Sequence, residues 1–290
     1  MAGHIARALS VFCVDEVIIF DDGNSPTSKP FSSGVDEYTG KSDPDHFLFH
    51  LLSYLETPPN LRKLLFPIHP NLSSAGALPS LDLPHHLKKK EWCPYREGVT
   101  LSGADERGTL VEAGLNIPVT VPDQIPENHR VTVKFLPGAD LASKDPNCEE
   151  IIAEAVRPEE PREDGGYYWG FAVKRAGSLS SVFTDCAYEG GYDMTIGTSE
   201  RGHDVETLYS GDSEQKVGNF KHLLVVFGGV AGLEVAVKND AELQKLGVID
   251  AKEMFDRWIN VCPGQGSRTI RTEEAVWIGL MGLRRLVTNN

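Results

Sequence analysis

The stretch Asn260–Ala275, NVCPGQGSRTIRTEEA, restricts this chain more than any other. Trp258, Ile259 and Val261 read as the end of a strand; Pro263, Gly264 and Gly266 force a tight loop; Thr269–Thr272 lead into a helix. With no Cβ at Gly264 or Gly266, the backbone amides around Gln265 can approach a ligand closely. Ser267 and Thr269 add hydroxyl donors, and the start of the following helix offers unpaired N–H groups. On this spacing alone a plain turn and a ligand loop are both open.

The rest of the chain supplies an α/β frame for that loop. His4–Val14 carries Ile5, Ala8, Leu9 and Phe12 at helical spacing, and Val17–Phe20 is a continuous apolar strand of the buried, parallel type. An α/β repeat places a strand before such a helix, and the sequence begins on the helix itself; a shortened sequence or a sheet lacking one member would account for this. Asp21–Asp45, rich in Ser, Pro, Gly and Asp, reads as a mobile loop. Helices are predicted over His46–Glu56 and Asn60–Leu65, and prolines and histidines break any pattern over residues 67–94.

From Gly98 the character changes. Gly98–Leu101, Gly108–Glu112, Ile117–Val121, Arg130–Phe135 and Ile151–Val156 are short β-type pieces divided by Gly, Pro and Asn, a pattern that predicts a small barrel. Pro158–Gly166 reads as a charged linker. The α/β pattern then resumes with a strand at Tyr167–Lys174, a helix at Ser178–Thr184 and a strand at Tyr192–Ile196 that runs into the loop Gly197–Gly202. Leu223–Phe227 is a further buried strand, ending in Gly228 and Gly229, and Leu233–Leu246 is weakly patterned. Three successive strands thus end in glycine loops, at the sheet edge where open α/β folds bind ligands. The predicted division is residues 1–96 and 165–290 as two parts of one α/β domain, with residues 97–164 inserted as a β-barrel.

Charge and motifs narrow the function. The net charge of −14 argues against blanket nucleic-acid binding. Residues 97–166 carry 6 Lys/Arg against 15 Asp/Glu, so most of the acidity sits in the insertion. Arg62-Lys63, Lys88-Lys89-Lys90, Lys174-Arg175 and Arg284-Arg285 are basic clusters on the flanks, readable as solvated faces or as a local phosphate-binding strip. No run of eighteen apolar residues and no signal-peptide pattern occurs, which predicts no membrane partner. Five scattered cysteines without a CxxC pair predict neither a zinc ribbon nor a disulfide framework, and place the chain in a reducing compartment, nuclear, nucleolar or cytoplasmic. His69, His85 and His86 lack a HExxH pattern, so no metal is expected. GxxxxGK[ST], GxGxxG with a following acid, and GxSxG are all missing, which disfavours nucleoside triphosphate, nicotinamide and serine-hydrolase chemistry.

HIARALSVFCVDEVIIF, YDMTIGTSERG, LLVVFGGVAGLE and NVCPGQGSRTIRTEEA resemble successive motifs of the SPOUT superfamily of RNA methyltransferases. Specifically, the chain resembles the eukaryotic and archaeal subfamily with an OB-like insertion, which includes the centromere-associated human member. The resemblance covers nearly the whole chain. It implies an α/β domain whose C-terminal segment threads a trefoil knot, an inserted OB-like barrel, S-adenosylmethionine as cofactor, and a homodimer with the active site at the subunit interface. By position it places Thr198, Ser199, Glu200, Arg201 and Gly202 on the first knot loop and Phe227, Gly228 and Gly229 on the second. Cys262, Pro263, Gly264, Gln265, Gly266, Ser267 and Ile270 fall on the third, around the adenine. Arg7, in HIARA, matches an arginine near the methyl-transfer centre.

Methyl transfer needs an in-line nucleophile and no metal, so positioning provides much of the rate, and a neutral RNA nucleophile must also lose a proton. Arg7 or Arg201 would orient a phosphate or stabilise an anionic acceptor, and Glu200 or Glu274 would serve as base. Each has a structural alternative: Glu273 and Glu274 favour the dipole of the helix they start, Glu200 and Arg201 form a local ion pair, and Arg7 lies on a helix surface. The last helix, Thr272 to about Leu286, is apolar nearly all round, suiting a core helix that also forms the dimer interface; Gly279 and Gly282 in it fit close backbone packing. The expected function is methylation of a base, with a ribosomal RNA uridine favoured. The rival from another class is a catalytically silent knotted dimer that acts as a scaffold for ribosome-assembly, chromosome or spindle proteins; methylation of a protein is a third, weaker reading.

Overall fold

The computed structural model describes residues 1–24, 40, 42–103, 107–145, 147–210 and 217–288. Most of the Asp21–Asp45 loop lies outside the described residues. The strands are β1 (Glu16–Phe20), β2 (Tyr95–Thr100), β3 (Thr109–Glu112), β4 (Val119–Val121), β5 (Arg130–Phe135), β6 (Ile151–Val156), β7 (Ala172–Ala176), β8 (Met194–Asp204), β9 (Leu223–Val226) and β10 (Arg257–Asn260). The helices are α1 (Ala2–Val11), α2 (Pro44–Glu56), α3 (Arg62–Leu65), α4 (Ala139–Ala142), α5 (Glu160–Glu163), α6 (Leu179–Thr184), α7 (Leu233–Asn239), α8 (Ala241–Lys245) and α9 (Thr272–Thr288). Two compact units result: Met1–Leu52 with Ala172–Asn290, and Ser53–Phe171.

The first unit is α/β. Helix α1 ends where Cys13 takes a left-handed φ of 54°, with Val14 N–H bonded back to the Leu9 carbonyl at 3.0 Å, a Schellman stop that turns the chain into β1. Strand β1 pairs in parallel with β7, Glu16 opposite Ala172 through Phe20 opposite Ala176. β7 is shorter at its start than the Tyr167–Lys174 pattern predicts, because Gly170 sits at φ +91° and breaks the extended run. A second parallel sheet has the order β10-β8-β9. Its faces are covered on both sides: Val226 packs with Leu233, Ala236 and Leu243 of α7 and α8, while Ile196 and Ile259 pack with Leu283 and Leu286 of α9.

The weakly patterned segment after β9 breaks into α7 and α8 at Asp240, whose carboxylate accepts from Glu242 N and Leu243 N and from both N and Oγ of Ser180. Burial opposes charge on Asp240, but these donors outweigh it and hold its pKa below the usual range. Helix α9 buries the single stripe Val276, Gly279, Leu283 and Leu286, and leaves Met281 and Val287 exposed. Full burial of a leucine such as Leu283 contributes about 1.5–3 kcal/mol.

The second unit contains the closed barrel β2-β3-β4-β6-β5, in which β4 and β6 run parallel and the other pairs antiparallel. Alternation selects its core: Ile151 and Ala153 point in while Ile152 and Glu154 point out. Below the barrel, Arg130 bridges two buried carboxylates, with Nη1 at 2.5 Å from Glu56 and Nε at 2.5 Å from Glu97. Glu97 also accepts from Thr132 Oγ1 and Trp169 Nε1 at 2.6 and 2.7 Å, and His85 Nε2 lies 3.0 Å from Glu56. Burial would raise the Glu56 pKa, but the Arg130 charge and the hydrogen bonds from His85 and Arg130 lower it to about 2. Residues 158–166, read as linker, include the short helix α5.

Candidate active site

The first candidate loop is not the end of a strand. Thr198–Gly202 is an excursion within β8: Gly197 pairs with Trp258, and the next pair along β10 is Ile259 with His203. Five residues of β8 therefore face no partner residue on β10. Gly202 closes the excursion against the main chain of β10, where a Cβ would lie 2.3 Å from the Ile259 carbonyl carbon and 2.7 Å from Asn260 N. Gly202 is thus demanded by packing.

Side chains tie this excursion to the other two loops. Thr198 Oγ1 donates to the Val226 carbonyl at 3.0 Å, joining it to the end of β9. Asn260 Nδ2 donates to the Glu200 carbonyl at 2.9 Å, while its Oδ1 accepts from Cys262 N at 2.9 Å. One amide thus clasps the first loop to the third. The ring of Phe227 lies over Gly279 of α9, where a Cβ would meet it at 2.8 Å and Val261 Cγ1 at 3.3 Å. The second and third loops meet there, so the helical glycine is explained by close approach. Gly228 makes a similar approach to the main chain at Gly232 and Leu233, whereas a Cβ on Gly229 would meet only Asp22 Oδ2, at 3.5 Å.

The third loop is open. Pro263, Gly264, Gly266 and Ser267 are exposed, Cys262, Gln265 and Ile270 are half-buried, and Gln265 Nε2 donates to the Ser267 carbonyl at 3.0 Å. A Cβ on Gly264 or Gly266 would meet nothing within 4 Å. Gly264 needs its glycine for a φ of +72°, but no neighbour explains the glycine at 266. The main chain at Gly264 and Gly266 is therefore open to solvent, with space beside it that a larger side chain would occupy.

The charged candidates divide. Arg201 and Glu200 are exposed beside one another, yet Arg201 Nη1 reaches Glu234 Oε1 at 3.9 Å. Arg201 also lines a cleft of about 550 Å³ with His203, Glu234, Asp250, Lys252 and Trp258. Ser199 Oγ accepts from Arg201 N at 3.2 Å and stiffens the excursion. Glu274 caps α9, its carboxylate accepting from Arg271 N–H at 2.9 Å, the acid half of a capping box. Arg7 is half-buried on α1, which packs against α9 through Phe12 and Trp277 and the bond from Trp277 Nε1 to the His4 carbonyl at 3.0 Å.

The family model described as "Putative RNA methyltransferase" matches residues 1–283. The chain belongs to that family. It is similar to the human 28S rRNA (uridine-N(3))-methyltransferase, with 39% identity over 98% of this chain and 72% of the human one. The mouse protein of the same description is 40% identical over 98% of this chain and 70% of its own length. The Drosophila melanogaster protein, also so described, is 41% identical over 98% of this chain and 57% of its own. The fold of this methyltransferase is mixed α/β with a closed five-stranded barrel.

Asn260 carries a local sequence signal. An asparagine two residues before a loop amide is an Asx turn, and here the same side chain also binds the first loop. Glu234, His203 and Trp258 carried no pattern that marked them, because their meeting depends on which strands are neighbours.

Proposed function

We propose that the protein transfers a methyl group from S-adenosylmethionine to N3 of a uridine in ribosomal RNA. The observation that carries this reading is the meeting of three loops, clasped by Asn260 and packed at Gly279, beside the open main chain at Gly264 and Gly266. Thr198, Ser199, Gly202, Phe227, Gly228, Gly229, Cys262–Ser267 and Ile270 would hold the cofactor, which supplies an electrophilic methyl on sulfur when bound. The names of the human, mouse and fly relatives support uridine N3 as acceptor.

On this reading the chain's own groups orient the base and take up its imide proton. The imide proton at N3 would pass to a carboxylate of the chain, which leaves the base nitrogen free to accept the methyl group that the cofactor would supply. Glu200 is the better placed acceptor, since Glu274 is engaged by the Arg271 amide. Arg201 and Arg7 would stabilise the charge that develops on the uracil carbonyls.

The domain is proposed to be knotted. β10 lies on the side of β8 opposite β9, so the chain crosses β8 after β9, the kind of crossing a trefoil knot needs. The barrel is proposed as an OB-like insertion. A homodimer is proposed through α1 and α9, whose Val11, Met281 and Val287 are exposed apolar residues. A nuclear or cytoplasmic site of action fits an RNA substrate of this kind.

Calorimetric titration of the purified protein with S-adenosylmethionine tests the reading, beside the Gly264→Trp, Gly266→Trp double variant. Saturable binding that is lost in a folded variant supports it. No binding by a folded wild type would overturn it and promote the scaffold reading.

A further inference from the structure

The second unit holds a cleft that the methyl-transfer chemistry leaves unused. It encloses about 410 Å³ and is lined by Pro59, Asn60, Leu87, Lys88, Lys89 and Leu115 among others. Its volume suits one nucleotide, at the small end of ligand clefts.

A single buried arginine holds both walls. Arg96 is 3% exposed, and it donates to the Lys88 carbonyl at 3.0 Å, to the Glu91 carbonyl, and to the Ala113 carbonyl at 3.3 Å. The first two acceptors belong to the wall that carries Lys88 and Lys89, and the third to the wall that carries Gly114 and Leu115. These acceptors are carbonyl dipoles and not carboxylates, and the buried Arg96 Nε has no hydrogen-bond partner. A full positive charge is therefore held beneath the cleft, its hydrogen-bond acceptors all carbonyls and the Glu91 carboxylate near enough to attract it. Above it Lys88 is 84% exposed, and its ion pair to Glu91 at 3.8 Å is between solvated groups and weak. His86 adds no charge: burial, then the neighbouring His85, lowers its pKa to about 4. Its Nε2 faces the Glu56 carbonyl at 2.6 Å and so carries the proton.

Charge in this unit is segregated along the sequence. Residues 53–96 carry 6 Lys/Arg against 3 Asp/Glu, whereas residues 97–171 carry 6 against 15. A polyanion is repelled by most of the barrel and admitted at the cleft. The apolar residues Pro59, Leu87 and Leu115 give a nucleobase or ribose a surface to lie on, which an acidic peptide would not need.

We propose that this cleft binds one nucleotide of the RNA substrate, its phosphate on Lys88 and Lys89 and its base or sugar against Leu87 and Leu115. The cleft is a docking site that positions RNA for the reaction, and this inference rests on the RNA methyltransferase reading. The acidic barrel then acts as a filter that leaves one route of approach.

The test uses the full-length protein and a short fluorescein-labelled oligouridylate, with anisotropy read across a salt series. Lys88→Glu, Lys89→Glu is compared with Lys144→Glu, Arg157→Glu, a pair of exposed barrel cations with the same charge change. The cleft variant is expected to bind about tenfold more weakly, with the salt slope reduced by about 1.4, the value for two lost single-strand phosphate contacts. Its affinity for S-adenosylmethionine and its melting temperature should equal those of wild type. Lys88→Arg, Lys89→Arg should restore binding. Equal RNA binding by the cleft variant and wild type overturns the inference while leaving the methyltransferase reading intact. An equal loss in the control pair also overturns it, since the effect would then be net charge. A wild type that binds cofactor but no RNA overturns both.

Discussion

Gly202 and Gly266 belong to the same set of cofactor-loop candidates, yet the structure assigns them opposite physical roles. A Cβ at 202 would stand 2.3, 2.6 and 2.7 Å from three main-chain atoms of Ile259 and Asn260. Relief needs a shift of about 1 Å, because non-bonded heavy atoms rest near 3.5–4.0 Å. The atoms in the way are backbone of β10, so no rotamer can absorb that shift. Gly202→Ala is therefore expected to destabilise the α/β unit by about 3 kcal/mol, at the upper end of overpacking costs. For a unit of this size that lowers Tm by about 6–12 °C. Gly266→Ala meets nothing within 4 Å and has no positive φ to maintain. It should leave Tm unchanged or raise stability by about 0.4–1 kcal/mol, through the stiffer unfolded chain. Its cost should fall on the cofactor: a methyl group in the space beside this loop is expected to weaken S-adenosylmethionine binding about tenfold, a loss of about 1.4 kcal/mol. Scanning calorimetry and isothermal titration on both variants separate the effects. A Gly202→Ala protein that melts with wild type would refute the packing argument. A Gly266→Ala protein with wild-type affinity would refute the assignment of this loop to the cofactor.

Asn260→Ala removes both bonds of the clasp and should cost about 1–3 kcal/mol, while Asn260→Asp keeps the acceptor for Cys262 N and loses only the donor to Glu200; chemical denaturation should rank them in that order. Asp240→Ala should destabilise the α/β unit by about 1–2 kcal/mol, by uncapping α8 and releasing Ser180, and urea unfolding checks this. Because the folded pKa of Glu56 is depressed to about 2 from 4.5, its contribution is complete above about pH 4.5 and disappears as pH falls toward 2. Acid unfolding of the barrel unit, followed by Trp169 fluorescence, should show that loss in wild type and a flatter profile in Glu56→Gln.

The sequence alone determined what depends on neighbours along the chain. Helix α1 was legible from its period of 3.6, β1 and α9 from continuous apolar runs, and the β-pieces of the barrel from the Gly, Pro and Asn residues that divide them. The loop at 264–266 was legible because Pro263 and two glycines end a strand, and Gly264 does take a left-handed φ of +72°. The motif resemblance gave the family, which the match over residues 1–283 shows. Tertiary structure alone decided which candidates touch. TSERG reads as a loop after a strand, but β10 lies beside β8 and extends the ladder past it, so the loop becomes an excursion that Gly202 must close. Arg201 was paired in sequence with Glu200 and is paired in space with Glu234. Arg96 carries no sequence mark, yet it joins Lys88–Glu91 to Ala113 and makes a cleft of two distant segments. Local periodicity records which way a residue faces; only the packing of strands far apart in the chain sets what it faces, because those contacts arise from pairings that no short window contains.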